Sequence, residues 1–225
     1  PNSTSSTVEL FKLVRTNLQF VLKGKDHKVV MVTSSQSGEG KSFISINTAA
    51  AMALQGKKVL LVGLDIRKPM LAAYLNLPAD HSGLTNYLLR PEISFRDVVQ
   101  HVKEVKGLDV VVAGIIPPNP AELLLEPRLK DFFEEARRDY DYVIVDSAPV
   151  AIARDSPSVA DFADTTIYVT RIGVTRFRDL NFINSIYEED RMPKMNVIVN
   201  GTTATQGYGY GYGSVEDHGK HAPSP

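Results

Sequence analysis

Six short runs rich in β-branched residues recur between Lys28 and Asn200: KVVMVTS, KKVLLVG, LDVVVAG, YDYVIVD, DTTIYVTR and MNVIVN. Each is continuously apolar rather than alternating, which is how strands covered on both faces read. Most of the gaps between them hold segments with helical spacing, among them Ser42 to Gln55, Pro127 to Arg138 and Arg176 to Tyr187. Strands alternating with helices require right-handed crossovers, so the pattern predicts an α/β fold with a mainly parallel sheet and helices on both faces. With 225 residues, 43% of them apolar, the chain is long enough for one sizeable core.

The two ends differ from this middle. Ahead of the first strand, SSTVELFKLVRTNLQFVLKG spaces Ser6 and Glu9 as a capping box and places Leu10, Leu13, Val14, Leu18, Val21 and Leu22 at helical intervals. This predicts a leading amphipathic helix over residues 1–24. After Asn200 the apolar period is lost and Gly, Thr, Ser, Tyr and Pro take over, so 204–225 reads as a mobile tail around GYGYGYG. The remaining 25–203 are expected to form the folded domain. There is no internal repeat.

Charge and composition narrow the function. Lys and Arg total 25 against 26 Asp and Glu, so there is no global basic field of the kind that draws nucleic acid or an anionic membrane, and any phosphate binding must be local. The absence of cysteine rules out disulfides, a thiolate zinc site and a cysteine nucleophile. The five histidines, His27, His81, His101, His218 and His221, have no ligand spacing. No apolar run reaches the roughly 18 to 20 residues needed to span a bilayer. The polar start PNSTSST is no signal peptide, and its lack of methionine reads as a piece of something longer whose membrane segments are missing.

The stretch VVMVTSSQSGEGKSFISINTAAAMAL runs strand, glycine-containing loop, helix, with Gly40, Lys41 and Ser42 at the junction. In a P-loop, backbone N–H groups and the helix N-terminus cradle phosphates, the lysine meets the β- and γ-phosphates, and the following hydroxyl ligates Mg²⁺. The full pattern places glycine at position 35, where this chain has Ser35. The residues that carry the chemistry are kept, although an ordinary strand-to-helix loop can also read GKS. Two acidic residues stand just past strands, where ligands bind in such sheets. Asp146 closes YVIVD and suits a Walker B role holding Mg²⁺; it also reads as a turn aspartate before Pro149. Asp65 follows KKVLLVG and either serves the site or pairs locally with Arg67 or Lys68.

Together these motifs resemble the bacterial tyrosine kinases, the cytoplasmic kinase domains of polysaccharide co-polymerases. Those kinases belong to the deviant-Walker P-loop NTPases with the partition and cell-division-site ATPases. The resemblance covers nearly the whole chain: the P-loop SSQSGEGKS, the Walker A′ segment LLVGLDIRKP, Walker B VIVDSAP, GIIPPNPAELL from Gly114 to Leu124, the helix ELFKLVRTNLQF and the tyrosine-rich end. Partition-type relatives carry an extra lysine early in the loop, where this chain has Ser34, Ser35, Gln36 and Ser37. Two departures stand out. Gly63 replaces the first aspartate of the family's D-x-D-x-R, leaving Asp65 and Arg67, and the E-x-x-R-x-x-R pattern of subunit contacts reads Glu9, Lys12 and Arg15.

The resemblance implies ATP and Mg²⁺ as cofactors. It puts Lys41 on the β/γ-phosphates, Gly38, Glu39 and Gly40 in the backbone cradle with Phe43 beside them, and Asn200 at the adenine. Ser42, Asp65 and Asp146 become the metal candidates, Asp65 also orienting or deprotonating a phenol, with Arg67 steadying charge. It further implies that Tyr208, Tyr210 and Tyr212 accept phosphate in a ring-like homo-oligomer, each tail entering a neighbour's site, with Glu9, Lys12 and Arg15 at the contact. A transmembrane activator or missing N-terminal membrane portion, a tyrosine phosphatase, and a place at the cytoplasmic face of the bacterial inner membrane in capsular or exopolysaccharide export complete the expectation. The alternatives are a partition-type ATPase switch and a non-catalytic nucleotide-binding assembly module.

Overall fold

A computed structural model of the chain describes residues 3–24, 28–78, 82–150 and 159–202. Its centre is one seven-stranded sheet: β1 (Val29–Ser34), β2 (Val59–Gly63), β3 (Gln100–His101), β4 (Leu108–Val111), β5 (Tyr142–Asp146), β6 (Thr165–Arg171) and β7 (Met195–Asn200). The spatial order is β3-β4-β2-β5-β1-β6-β7. All six expected strands form and pair in parallel. The two-residue β3, which pairs antiparallel with β4, was not expected, because two residues carry no periodicity to read.

Both faces of the sheet are covered, as the continuous apolar runs predicted. One face packs under α1 (Ser3–Val21) and α2 (Lys41–Ala53), with Val30, Val32, Leu61, Val110, Ile144 and Ile167 meeting Phe11, Leu18, Ile44 and Met52. The other lies under a run of helices: the short α4 (Leu84–Leu89), α5 (Phe95–Val98) and α6 (Pro120–Leu123), then α7 (Arg128–Asp139) and α8 (Phe177–Glu188). There Met31, Leu60, Val62, Val143 and Tyr168 pack with Leu84, Phe95, Phe132, Phe133 and Ile186. A further turn, α3 (Leu71–Tyr74), follows β2.

Three expectations need correction. The leading helix begins at Ser3, so Ser6 and Glu9 lie inside it and Ser6 is no N-cap; Glu9 instead accepts from Lys12 Nζ at 2.6 Å, one turn on. Its buried stripe is Phe11, Leu18 and Leu22 with Val14 packed alongside, while Leu10 and Leu13 are exposed. Spacing alone does not fix which of two adjacent stripes meets α2; the partner surface decides, and each buried side chain contributes about 2 kcal/mol. Finally, MNVIVN is an edge strand, with Val197 and Val199 about half exposed, rather than a strand covered on both faces.

The strand starts are tied together at one residue. Asp164, just before β6, accepts from the N–H groups of Lys28 and Val29 at 2.6 and 2.7 Å and from Arg137 on α7 at 2.8 and 3.0 Å. Burial pulls this carboxyl upward, but the Arg137 hydrogen bonds and the two N–H groups outweigh it and hold it below the ordinary aspartate value. A depressed carboxyl contributes stability above its unfolded value, lost as pH falls through the folded one. Asp164→Ala should therefore lower unfolding free energy by about 2–3 kcal/mol at pH 7, a deficit that shrinks toward acid pH, as read by urea titration.

Candidate active site

The parallel pairing of β1, β2 and β5 brings their carboxyl ends to one edge, and the site is built there. β1 runs into the loop 35–40, and α2 starts at Lys41. Gly38 and Gly40 take φ of 89° and 99°, the left-handed region that glycine tolerates. At Gly40 a Cβ would collide with the Asn200 amide, so a side chain there would displace Asn200 from the loop. The first N–H groups of a helix have no intrahelical acceptor, and those of α2, with the positive helix end, face outward from this turn as a seat for an anion. Where the loop pattern would have glycine, Ser35 is buried and its hydroxyl pairs with Tyr168 Oη at 3.1 Å. Burial pushes the Tyr168 phenol up to about 12, while the Ser35 bond pulls it down.

Asp146 ends β5 beneath this loop. Its backbone carbonyl accepts from Leu64 N at 2.8 Å and Asp65 N at 3.2 Å, which fixes the turn after β2 against it. Its carboxylate accepts from Ser45 on α2 at 3.3 Å and is hydrogen-bonded by Ser42. Burial, aided by the Asp65 charge, pushes the Asp146 carboxyl up to about 6, against the pull of Ser42, Lys41 and Ser45. Asp65 is half-buried, and one of its oxygens accepts from Lys68 N at 3.1 Å, closing its own turn. Gly63 stands opposite Asp146 in the β2–β5 register, and a Cβ there would lie 3.2 Å from Leu71 Cδ2.

The sequence-derived residues converge. Gly38, Gly40, Lys41, Ser42, Phe43, Asp65, Arg67 and Asn200 line one open cleft of about 980 Å³, and Asp146 lines an adjoining recess of about 190 Å³ with Gly63 and Asp65. Glu39 is different: its side chain is fully buried, so it offers the cleft only backbone. Asn200 Nδ2 donates to Glu39 O at 2.9 Å and its Oδ1 accepts from Gly201 N at 2.8 Å, so the amide braces the loop from the end of β7. Phe43 is about half exposed and meets Phe11 of α1 edge-on at 5.7 Å. Of the three α1 residues expected at a subunit contact, Glu9 and Lys12 pair with each other at the surface, and Arg15 donates to Ala51 O of α2 at 3.3 Å. Tyr208, Tyr210 and Tyr212 lie outside the described residues, as do His27, His81, His218 and His221.

Some cleft residues were not singled out in the sequence. Arg171 ends β6 and its Nη1 donates to Gly38 O at 2.8 Å; its place at a strand's carboxyl end was a readable signal. Tyr74 and Ile116 also line the cleft, and only the fold brings them there. Among the described residues no group of three or more His, Asp or Glu could hold a metal. One hydroxyl and two carboxylates, from Ser42, Asp65 and Asp146, are nevertheless a fitting oxygen set for Mg²⁺, which keeps several waters and takes further oxygens from phosphate.

With this geometry in view, comparison with known proteins is informative. A family model described as AAA domain matches residues 27–156. The chain is 36% identical to the tyrosine-protein kinase YwqD of Bacillus subtilis over 97% of its own length and 90% of that protein. It is 31% identical to the tyrosine-protein kinase etk of Escherichia coli over 94% of its own length, but spans only 29% of that longer protein. The solved kinase domain of the E. coli tyrosine kinase ETK superposes with a TM-score of 0.82 at 31% identity, covering 94% of this chain and 83% of that one. The septum site-determining protein MinD of Pyrococcus horikoshii, complexed with Mg-ADP, shares the fold at a TM-score of 0.61 and 16% identity, over 77% of this chain and 70% of that one.

The raised Asp146 carboxyl has a measurable signature. In the folded protein it holds its proton to about pH 6, whereas the unfolded chain releases it near 3.8, so stability falls as pH rises through that window. In the absence of metal and nucleotide, Asp146→Asn should remove this loss, on the order of 3 kcal/mol, and be more stable than the parent at pH 7.5 but not at pH 4. Calorimetry at the two pH values reads it; an unchanged pH slope in the variant would refute the assignment.

Proposed function

This chain belongs to the bacterial tyrosine-protein kinases, on an AAA-domain P-loop framework, and is a protein-tyrosine kinase; from that premise we propose that it uses Mg²⁺-ATP to phosphorylate its own tail at Tyr208, Tyr210 and Tyr212, between subunits. One observation above others supports this reading. Asn200, the last residue of β7, is hydrogen-bonded to the phosphate loop at Glu39, so the tail begins at the rim of the cleft. From there eight residues to Tyr208 span at most about 26 to 29 Å, enough to enter this cleft or an adjacent subunit's.

Phosphoryl transfer demands positioning and charge neutralisation more than covalent chemistry, because the transition state is loose. The phenolic oxygen of the acceptor forms a bond to the γ-phosphorus as the bond to the β–γ bridging oxygen breaks, and ADP departs with that electron pair. Lys41 and the N–H groups of the loop hold the β- and γ-phosphates, and Arg67 stands on the same rim. Ser42 and Asp146, with Asp65 nearby, would hold Mg²⁺. When bound, that ion neutralises charge on the phosphate oxygens. The phenolic proton passes to Asp65, the carboxylate on the open side of the site. A phenol with a pKa near 10 gives up its proton only as bonding to phosphorus develops, so a carboxylate suffices.

The wider setting is part of the same proposal. Relatives such as the E. coli kinase are more than three times as long as the matching segment, and no described helix is long and apolar enough to cross a membrane. We assign this kinase to the cytoplasmic face of the inner membrane, driven by a transmembrane activator or membrane portion, reversed by a tyrosine phosphatase, and acting on capsular or exopolysaccharide synthesis and export. Each phosphotyrosine adds about −1.5 to −2 of charge, which favours release of a filled tail and loosening of a ring-like oligomer.

The test separates donor from acceptor. Lys41→Met supplies an inactive catalyst with an intact tail, and a triple Tyr→Phe change at 208, 210 and 212 supplies an active catalyst with none. Mixed with Mg²⁺-ATP, the Lys41→Met tail should gain phosphate by mass spectrometry, and neither protein alone should. Phosphate on the tail only when both changes are absent from one chain would point to transfer within a subunit; none on any of the three tyrosines of the parent would sink the reading.

A further inference from the structure

Glu39 turns its side chain inward from the phosphate loop, and its carboxylate is fully buried beside the place where phosphates bind. A buried carboxylate so close to an anion site is costly unless its oxygens are engaged. They are: Oε2 accepts from Gln36 N at 2.8 Å, within the loop, and Oε1 accepts from the hydroxyl of Thr175, 136 residues further along the chain. The Thr175 hydroxyl is oriented in turn, since its oxygen accepts from Arg171 N at 2.7 Å and its proton is left for Glu39. Three more bonds run parallel to this one. Gln36 Nε2 donates to Val174 O at 2.8 Å, Arg171 Nη1 to Gly38 O at 2.8 Å, and Asn200 Nδ2 to Glu39 O at 2.9 Å.

We propose that Thr175 is a positioning residue for the nucleotide: by holding the buried Glu39 carboxylate, it fixes the phosphate loop in its binding shape before nucleotide arrives. The mechanism is conformational. Glu39 sits between Gly38 and Gly40, the two residues whose left-handed φ values set the direction of the loop's N–H groups. Glycines impose no such preference by themselves and lose the most freedom when ordered. A latch that orders them in advance lowers the ordering cost at binding, so its removal weakens nucleotide affinity without touching any phosphate contact. Thr175 lines neither the cleft nor the adjoining recess, so it acts through the groups it holds, the Glu39 carboxylate and the backbone of Arg171.

The experiment uses the intact chain and ADP binding by calorimetry, which does not depend on which tyrosines accept phosphate, followed by steady-state kinetics. Thr175→Val keeps the shape and removes both the donor to Glu39 and the acceptor of Arg171 N; it should raise the Kd for ADP and the KM for ATP about tenfold. The maximal rate at saturating ATP should change less than twofold. Thr175→Ser, which restores the hydroxyl, should return both constants to within about twofold of the parent. Glu39→Ala supplies an independent arm, because it removes both acceptors, and it should lose at least as much affinity as Thr175→Val with no further loss in the double variant. A Kd unchanged in Thr175→Val, a loss that serine fails to rescue, or fully additive losses in the double variant would each overturn the proposal. A normal latch response with no phosphotyrosine would overturn the kinase reading and leave the latch standing.

Discussion

The site depends on the place of β5 between β1 and β2. Because the three strands are parallel and adjacent, Asp146 is in register with Val32 on one side and Gly63 on the other. The carbonyl of Asp146 takes the N–H groups of Leu64 and Asp65, and Ser147 N donates back to Val32 O at 3.1 Å. The turn carrying Asp65 and Arg67, and β1, which leads into the loop carrying Lys41 and Ser42, are thus both tied by backbone bonds to the end of β5. The chemistry inherits its spacing from the ladder, and the two apolar layers hold that ladder rigid.

Much of this was legible in the sequence because the signals are local and repeated. Continuous β-branched runs marked every long strand, and the helix after Gly40 began within a residue of the expected Ser42. Asp146 and Asp65 were found by the logic of strand ends, whereas Asn200 came from the family resemblance. What escaped depended on contacts between distant segments. The side of α1 that is buried is chosen by α2, and β7 alternates because, among the described residues, the face that carries Val197 and Val199 is left half exposed. The Glu39 carboxylate was hidden for the same reason: the loop pattern assigns Glu39 only backbone, and its partner Thr175 lies 136 residues further along the chain, just past β6.

Lys41 and Asp146 are buried together at the floor of the site, and Asp146 is already hard to ionise. A second carboxylate at position 63, in register with Asp146 on the same face of the sheet, would add like charge to that floor. Gly63 avoids this, and Leu71 packs into the space a side chain there would need. The cost is that one candidate base is gone. Asp65 escapes the same burden because it lies beyond the strand and is half-buried rather than enclosed. One carboxylate stays in the enclosed floor and the other on the open rim, and that division places the two acidic groups of the site in different environments.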